Sequence, residues 1–299
     1  MYCVKIPATS ANLGPGFDCL GLALKLYNVF KVEPGEVLSL ELQGDYVENI
    51  SLQEDNLFWQ AACVLWRKIG FKPQPLKIVI ESYVPPFRGL GSSSTAVVGG
   101  LMIANALAGD PFSRPELLNI ASEIEGHSDN VCPALYGGIT LSVKNEGQII
   151  PKILTTKPKF KIVVLIPEIT IPTTKAREIL PANIRRDDVV FNSSRVGLLV
   201  NCFLKEEYEL LNIATQDRIH QNQRASLLPG MVKTLAKAVE SGAYGATLSG
   251  AGPTLLAFSP YNLEQKIATA MKKALANYSI NSSALVLDID PSGAVMSKE

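Results

Sequence analysis

LKIVIESYVPPFRGLGSSSTAVVGGLMIANAL, residues 76–107, decides the fold class. Leu76–Ser82 reads as a strand. It runs into PPFRGLGSSS, whose prolines and glycines no regular element tolerates. Small and apolar residues from Ser94 to Leu107 then read as a buried helix. A strand, a Gly-x-Gly turn, serines and a helix start together form a candidate anion site. Glycines let the backbone approach an anion, and the helix start offers free N–H groups and the positive end of a dipole. Ser92, Ser93 and Ser94 add hydroxyl donors and potential Mg²⁺ ligands. The plain alternative is a tight strand-to-helix turn with a serine cap. Common phosphate loops do not match: no G-x-x-x-x-G-K-[ST] string occurs, and Ser94 stands where the dinucleotide fingerprint after Gly89-x-Gly91 needs a third glycine. Gly14-x-Gly16 and Gly250-x-Gly252 fail likewise, at Cys19 and Leu255.

Upstream, residues 1–45 alternate in the β manner, as in Val29, Lys31, Glu33 and Leu38, Leu40, Leu42, and residues 56–69 have helical apolar spacing. Downstream, Ser113 and Glu116 form a capping box for a helix whose core face is Leu117, Ile120, Ala121 and Ile124. Residues 137–143 read as a strand. The polar, proline-flanked stretch 145–158 reads as the boundary between a domain of 1–153 and one of 154–299. A strand at 161–167 opens the second half. Helices follow at about 193–204 and 229–241, with strands near 254–258 and 284–289. Strands and helices mix without strict alternation, which favours an α+β class with antiparallel sheets.

Bulk properties narrow the function. The 299 residues suit two domains or one large one, and 47% apolar content can bury a sizeable core. Twenty-eight basic residues balance 28 acidic ones, so net charge gives no support for nucleic acid or a membrane surface as partner. Five widely spaced cysteines without a CxxC pair are expected to be reduced thiols of a cytoplasmic protein. Two histidines, His127 and His220, leave almost no room for a His-rich zinc site. The start MYCVKIPATS has no signal-like apolar core, and the longest apolar run is broken by Gly99, Gly100 and Asn105.

Two further segments combine glycine with polar residues. In PATSANLGPGFDCLG (7–21), Asn12 and Asp18 lie six apart across a Gly-Pro-Gly turn and could together bind an ammonium or hydroxyl; an Asx-type turn that caps itself is the alternative. TLSGAGPTLLAF (247–258) is a glycine turn entering a buried strand, taken alone a hairpin.

In this order the three segments resemble the three-motif signature of the GHMP kinase superfamily, and within it the homoserine kinase family. EGHSDNVCPALYGG (125–138) is similar to that family's EGHPDNVAPALxGG, with Ser128 where proline is usual; TTKAR (173–177) and QDRIHQNQR (216–224) are similar too. The resemblance covers residues 4 to about 258. It implies a two-domain α+β GHMP kinase fold with mixed or antiparallel sheets and the active site between the domains. It further implies ATP, Mg²⁺, conversion of L-homoserine to O-phosphohomoserine on the route to threonine, and a homodimer, the common assembly of that family.

Site roles follow from the resemblance. ATP is expected on Pro85, Arg88, Gly89, Leu90, Gly91, Ser92, Ser93, Ser94 and Thr95, with Asn56 near the adenine. Mg²⁺ is expected between a loop serine, here Ser93, and a glutamate near the end of the next helix. Glu123 continues the solvent-facing row Glu116–Asn119–Glu123, whereas Glu125 follows Leu118 and Ala121 on the packed side, so Glu125 is the expected ligand. The substrate ammonium falls to Asp18 with Asn12. Its carboxylate falls to Arg177 and Arg224, because a guanidinium fork matches two oxygens; Arg185, Arg186, Arg195 and Arg218 are solvated or structural. His127 joins the substrate site, the alternative being a hydrogen-bonded core histidine. Asn130 takes the place where related kinases hold an aspartate base, Asp129 beside it is the alternative base, and Thr173 orients the hydroxyl or a phosphate oxygen. Asn130, Thr173 and Arg177 are the expected catalytic group, acting by positioning and charge neutralisation. Kinases of mevalonate, sugars or shikimate, whose substrates lack the ammonium, and a non-catalytic ligand-binding relative are the competing readings.

Overall fold

The computed structural model describes residues 1–48 and 50–298. Alternation near the N-terminus produces β1 (Tyr2–Ala11), β2 (Leu20–Pro34) and β3 (Ser39–Gln43). β1 shifts register against β2 between Pro7 and Ala8, where the proline cannot donate to the ladder. Next come α1 (Leu57–Lys68), β4 (Leu76–Glu81), α2 (Ser92–Leu107), α3 (Arg114–Glu125) and α4 (Val131–Tyr136). The capping box of α3 forms: Glu116 accepts from the Ser113 backbone N–H at 2.7 Å and hydroxyl at 2.6 Å. β5 (Ile139–Asn145) and β6 (Gln148–Thr155) make a hairpin. The polar stretch read as a connection therefore holds a strand. Its apolar residues do not alternate, because β6 lies beyond β5 at the sheet edge and Ile149 is its one fully buried side chain, with Ile150 and Ile153 exposed.

β7 (Lys161–Pro167) is followed by α5 (Thr173–Glu178), α6 (Arg186–Lys205), α7 (Leu211–Ala214), α8 (Gln221–Arg224) and α9 (Met231–Glu240). β8 (Gly245–Leu248), β9 (Leu255–Ser259), α10 (Glu264–Ala276), β10 (Ser282–Leu287) and β11 (Val295–Lys298) complete the order. α6 starts about two turns earlier than apolar spacing predicts, because its first turns are charged and exposed and leave no periodic signal.

The first sheet runs β11-β1-β2-β4-β3, with β5 on β2 and β6 on β5; its pairs are antiparallel except β3 with β4. The second is antiparallel in the order β10-β7-β9-β8. The mixed α+β architecture expected from the sequence is present. α1 to α4 cover the first sheet around Trp66, Phe30 and Phe58, and Trp66 donates its indole N–H to the Ala104 carbonyl at 3.0 Å. Gly100 is what brings α2 so close to α1, since a Cβ there would run into the Phe58 carbonyl. β7 explains its near-continuous apolar run by burying both faces. Ile162, Val164 and Ile166 join a core shared with β1, β2 and α6, while Val163 and Leu165 pack with α9 and α10. That shared core holds the two sheets together and sets the cleft between them.

Candidate active site

The three glycine segments meet at one place. The Thr9 N–H donates to the Leu90 carbonyl at 3.0 Å, and the Gly250 N–H to the Ala11 carbonyl at 3.1 Å. The Ser249 hydroxyl donates to the Gly89 carbonyl at 2.6 Å and lies 2.7 Å from the Ser10 hydroxyl. Gly91 sits at φ +69°, where a Cβ would land on the Thr9 hydroxyl. Only glycine accepts both that backbone and that neighbour. The chain thus closes a cleft of about 440 Å³ lined by the first sheet and, from the second half, by α5, α8 and the β8–β9 turn, within the range of small-molecule sites.

One wall is the loop. Pro85, Arg88, Gly89, Leu90, Gly91, Ser92 and Ser93 line the cleft. The first backbone bond of α2 runs from the Thr95 N–H to the Gly91 carbonyl, so the N–H groups of Ser92, Ser93 and Ser94 precede the helical ladder. Ser94 and Thr95 are buried behind the wall. Thr95 donates to the Ser92 carbonyl at 2.7 Å and accepts from the Asn28 amide at 2.8 Å, which holds the helix start in place. Glu125 accepts from Ser93 at 3.1 Å and from Ser94 at 2.8 Å. Glu123 instead points outward and pairs with Lys68 at 2.9 Å. Helical phase alone separated these two glutamates. The Arg88 guanidinium donates to the Pro167 carbonyl at 2.6 Å and ties the loop to the end of β7. Asn56 lines the cleft as the N-cap of α1, accepting from the Phe58 N–H at 3.0 Å.

The opposite wall is charged. Asp18 and Arg177 form a two-pronged pair at 2.9 and 2.7 Å. This pair, with burial opposing it, raises the Arg177 guanidinium above its ordinary value. Asn12, buried, accepts from the Asp18 N–H at 3.0 Å and donates to the Gly250 carbonyl at 3.1 Å. It is therefore both the self-capping turn and a clip to the third glycine segment. Asn12, Leu13 and Asp18 all have positive φ (+71°, +48° and +58°), a concentration of strain in one turn beside a cleft.

His127 donates from Nδ1 to Asp129 at 2.8 Å. Burial pulls this imidazole down, but the Asp129 bond and the charges of Asp129 and Glu125 outweigh it and raise it. Asn130 accepts from the Thr9 hydroxyl at 2.9 Å, and Thr173 opens α5 at the cleft edge. Arg224 is buried and lines the cleft; it donates to the carbonyls of Ala176 and Gly250, each at 3.0 Å. Burial first, then the charge of Arg177, pull it down to about 10. Among the described residues no three His, Cys, Asp or Glu side chains cluster as a metal cage.

Sequence reasoning missed Asn28, which lines the cleft and also accepts from the N–H groups of Tyr83 and Val84 at 2.9 Å. Its signal was present: Asn28 keeps step with the buried Phe30 and Val32 along β2, a polar residue on a core face. Thr9, Phe17 and Ser249 were passed over as members of motifs. Among the described residues all five cysteines are free, and no helix is long and apolar enough to cross a membrane.

A phosphate-type loop joined to a charged wall across such a fold defines a small-molecule kinase. The family models described as GHMP kinases N terminal domain and GHMP kinases C terminal match residues 56–138 and 202–277. The chain belongs to the GHMP kinase family. It is similar to the homoserine kinase of Desulfitobacterium hafniense, 48% identical over 99% of this chain and 100% of that one. It is similar also to that of Synechococcus sp., 43% identical over 99% of this chain and 98% of that one. The crystal structure of homoserine kinase from Cytophaga hutchinsonii superposes with a TM-score of 0.87 at 28% identity, covering 99% of this chain and 96% of that one.

Proposed function

We propose that the chain transfers the γ-phosphate of ATP to the side-chain hydroxyl of L-homoserine, giving O-phospho-L-homoserine. One observation carries this reading: an anion cradle and the charged Asp18, Arg177 and Arg224 line a single cleft. A small zwitterion has the two charges that Asp18 and Arg177 otherwise satisfy in each other. It can exchange their pair for two complementary ones, ammonium on Asp18 and carboxylate on Arg177 and Arg224. The names of the sequence relatives support the same substrate.

The backbone of Gly89 to Ser94 binds and orients the phosphates, and such preformed donors supply most of the stabilisation that phosphoryl transfer needs. The donor set fits Mg²⁺, since Glu125 with Ser93, which lines the cleft, offers hard oxygens beside the cradle. When bound there, Mg²⁺ supplies neutralisation of phosphate charge. Asn130, tethered by Thr9, orients the acceptor hydroxyl together with Thr173. Asp129 is engaged by His127, so the acceptor proton passes to an oxygen of the transferred phosphate and on to water rather than to a carboxylate of the chain; a loose transition state lets positioning suffice. We place the chain in the cytoplasm as a homodimer, and divide it into 1–153 and 154–299, save that β6 runs on to Thr155 and β11 returns to pair with β1 in the first sheet.

The test is ADP release over homoserine, mevalonate, shikimate and galactose. Homoserine turnover is the expected result; turnover of mevalonate without homoserine overturns it.

A further inference from the structure

His220 has no part in the chemistry above, yet it is fully buried between both sides of the acceptor site. Its Nε2–H donates to the Gly14 carbonyl at 2.7 Å, and its Nδ1 accepts from Arg224 Nη1 at 3.1 Å. Those two bonds require the neutral Nε2–H tautomer. Burial, the largest influence, lowers the imidazole against the charge of Asp217, and Arg224 adds to the lowering. The ring lies 5.2 Å from Phe17, and the Arg177 and Arg224 guanidinium groups sit 5.5 and 5.4 Å from that same Phe17 ring. Gly14 belongs to the turn that carries Asn12 and Asp18, and Arg224 Nη1 shares the Gly250 carbonyl with the Asn12 amide.

We infer that His220 is a positioning residue for the amino-acid end of the acceptor. Its Nδ1 accepts from Arg224 and holds that fork at one angle toward the cleft, while the Gly14 bond fixes the tautomer that leaves Nδ1 an acceptor. This rests on the homoserine reading above. The competing account is that His220 only fills space beside Phe17.

Two substitutions separate these accounts, because each keeps one of the two bonds. His220→Gln can place its amide N–H where Nε2–H was and keep the Gly14 bond, but gives Arg224 no acceptor. His220→Asn can place its carbonyl where Nδ1 was and keep the Arg224 bond. Steady-state kinetics on the full chain, with homoserine and ATP each varied, reads the difference. His220→Gln is expected to raise KM for homoserine about tenfold, with kcat and KM for ATP little changed, the pattern of lost substrate binding. His220→Asn is expected to recover KM to within about threefold.

Equal behaviour of the two variants, or a parallel rise in both KM values, overturns the inference. If His220→Gln does not fold, a tenfold rise in homoserine KM for His220→Asn does the same. Wild-type turnover comes first: without homoserine turnover the substrate reading falls and this inference with it, whereas homoserine turnover with unmoved variants removes the inference alone.

Discussion

Replacing Asp18 by Asn is the sharpest probe of the charged wall. Asp18 sits at φ +58°, a conformation that Asn tolerates and most residues do not, so the backbone of the turn is kept. The substitution removes one negative charge from a pair with Arg177 whose side chains are 35% and 40% exposed. Pairs so open to water contribute about 0–1 kcal/mol to stability, so the melting temperature should fall by no more than about 3 °C. The ammonium of the acceptor is a different matter. A hydrogen bond to a charged group contributes about 1.5–3 kcal/mol, and 1.4 kcal/mol is a factor of ten, so kcat/KM for homoserine should fall about 10- to 100-fold. KM for ATP should stay within about twofold, since the loop is held by Thr9, Asn28 and Ser249 rather than by Asp18. A coupled ADP-release assay with each substrate varied, beside a thermal melt, measures all three. An equal loss for both substrates, or an unchanged homoserine kcat/KM, would refute the ammonium role.

Glu125→Gln should raise the Mg²⁺ concentration for half-maximal rate at least about tenfold, read by metal titration; an unmoved midpoint would leave Glu125 a mere partner of Ser93 and Ser94. Trp66→Ala should cost about 3–5 kcal/mol in denaturant unfolding, since it empties a fully buried indole site and frees the Ala104 carbonyl. The raised His127 imidazole gives a pH-dependent stability. Its contribution is complete below the ordinary imidazole value and is lost as pH rises through the raised one. Melting curves of wild type and His127→Gln should therefore converge toward alkaline pH, and a constant difference from pH 5 to 9 would count against the His127–Asp129 pair.

Local features were readable without coordinates. The strand–turn–helix of residues 76–107, the capping box at Ser113 and the outward and inward glutamates of α3 all follow from periodicity and turn chemistry within a few residues. β6 and the first half of α6 were not, because their exposed surfaces carry no apolar rhythm.

The glycine–serine loop and its motif partners are determined by the sequence, including their order along the chain. Tertiary structure alone decided what each side chain faces. Asp18 meets Arg177 from 159 residues away, and Asn12 reaches Gly250 across 238. Thr95 turns behind the loop to Asn28 instead of into the cleft, and His220 joins Gly14 to Arg224. The physical reason is range. Helix phase, strand alternation and turn conformation act over a few bonds, whereas these pairings depend on how two sheets settle around the core shared by β1, β2, β7 and α6.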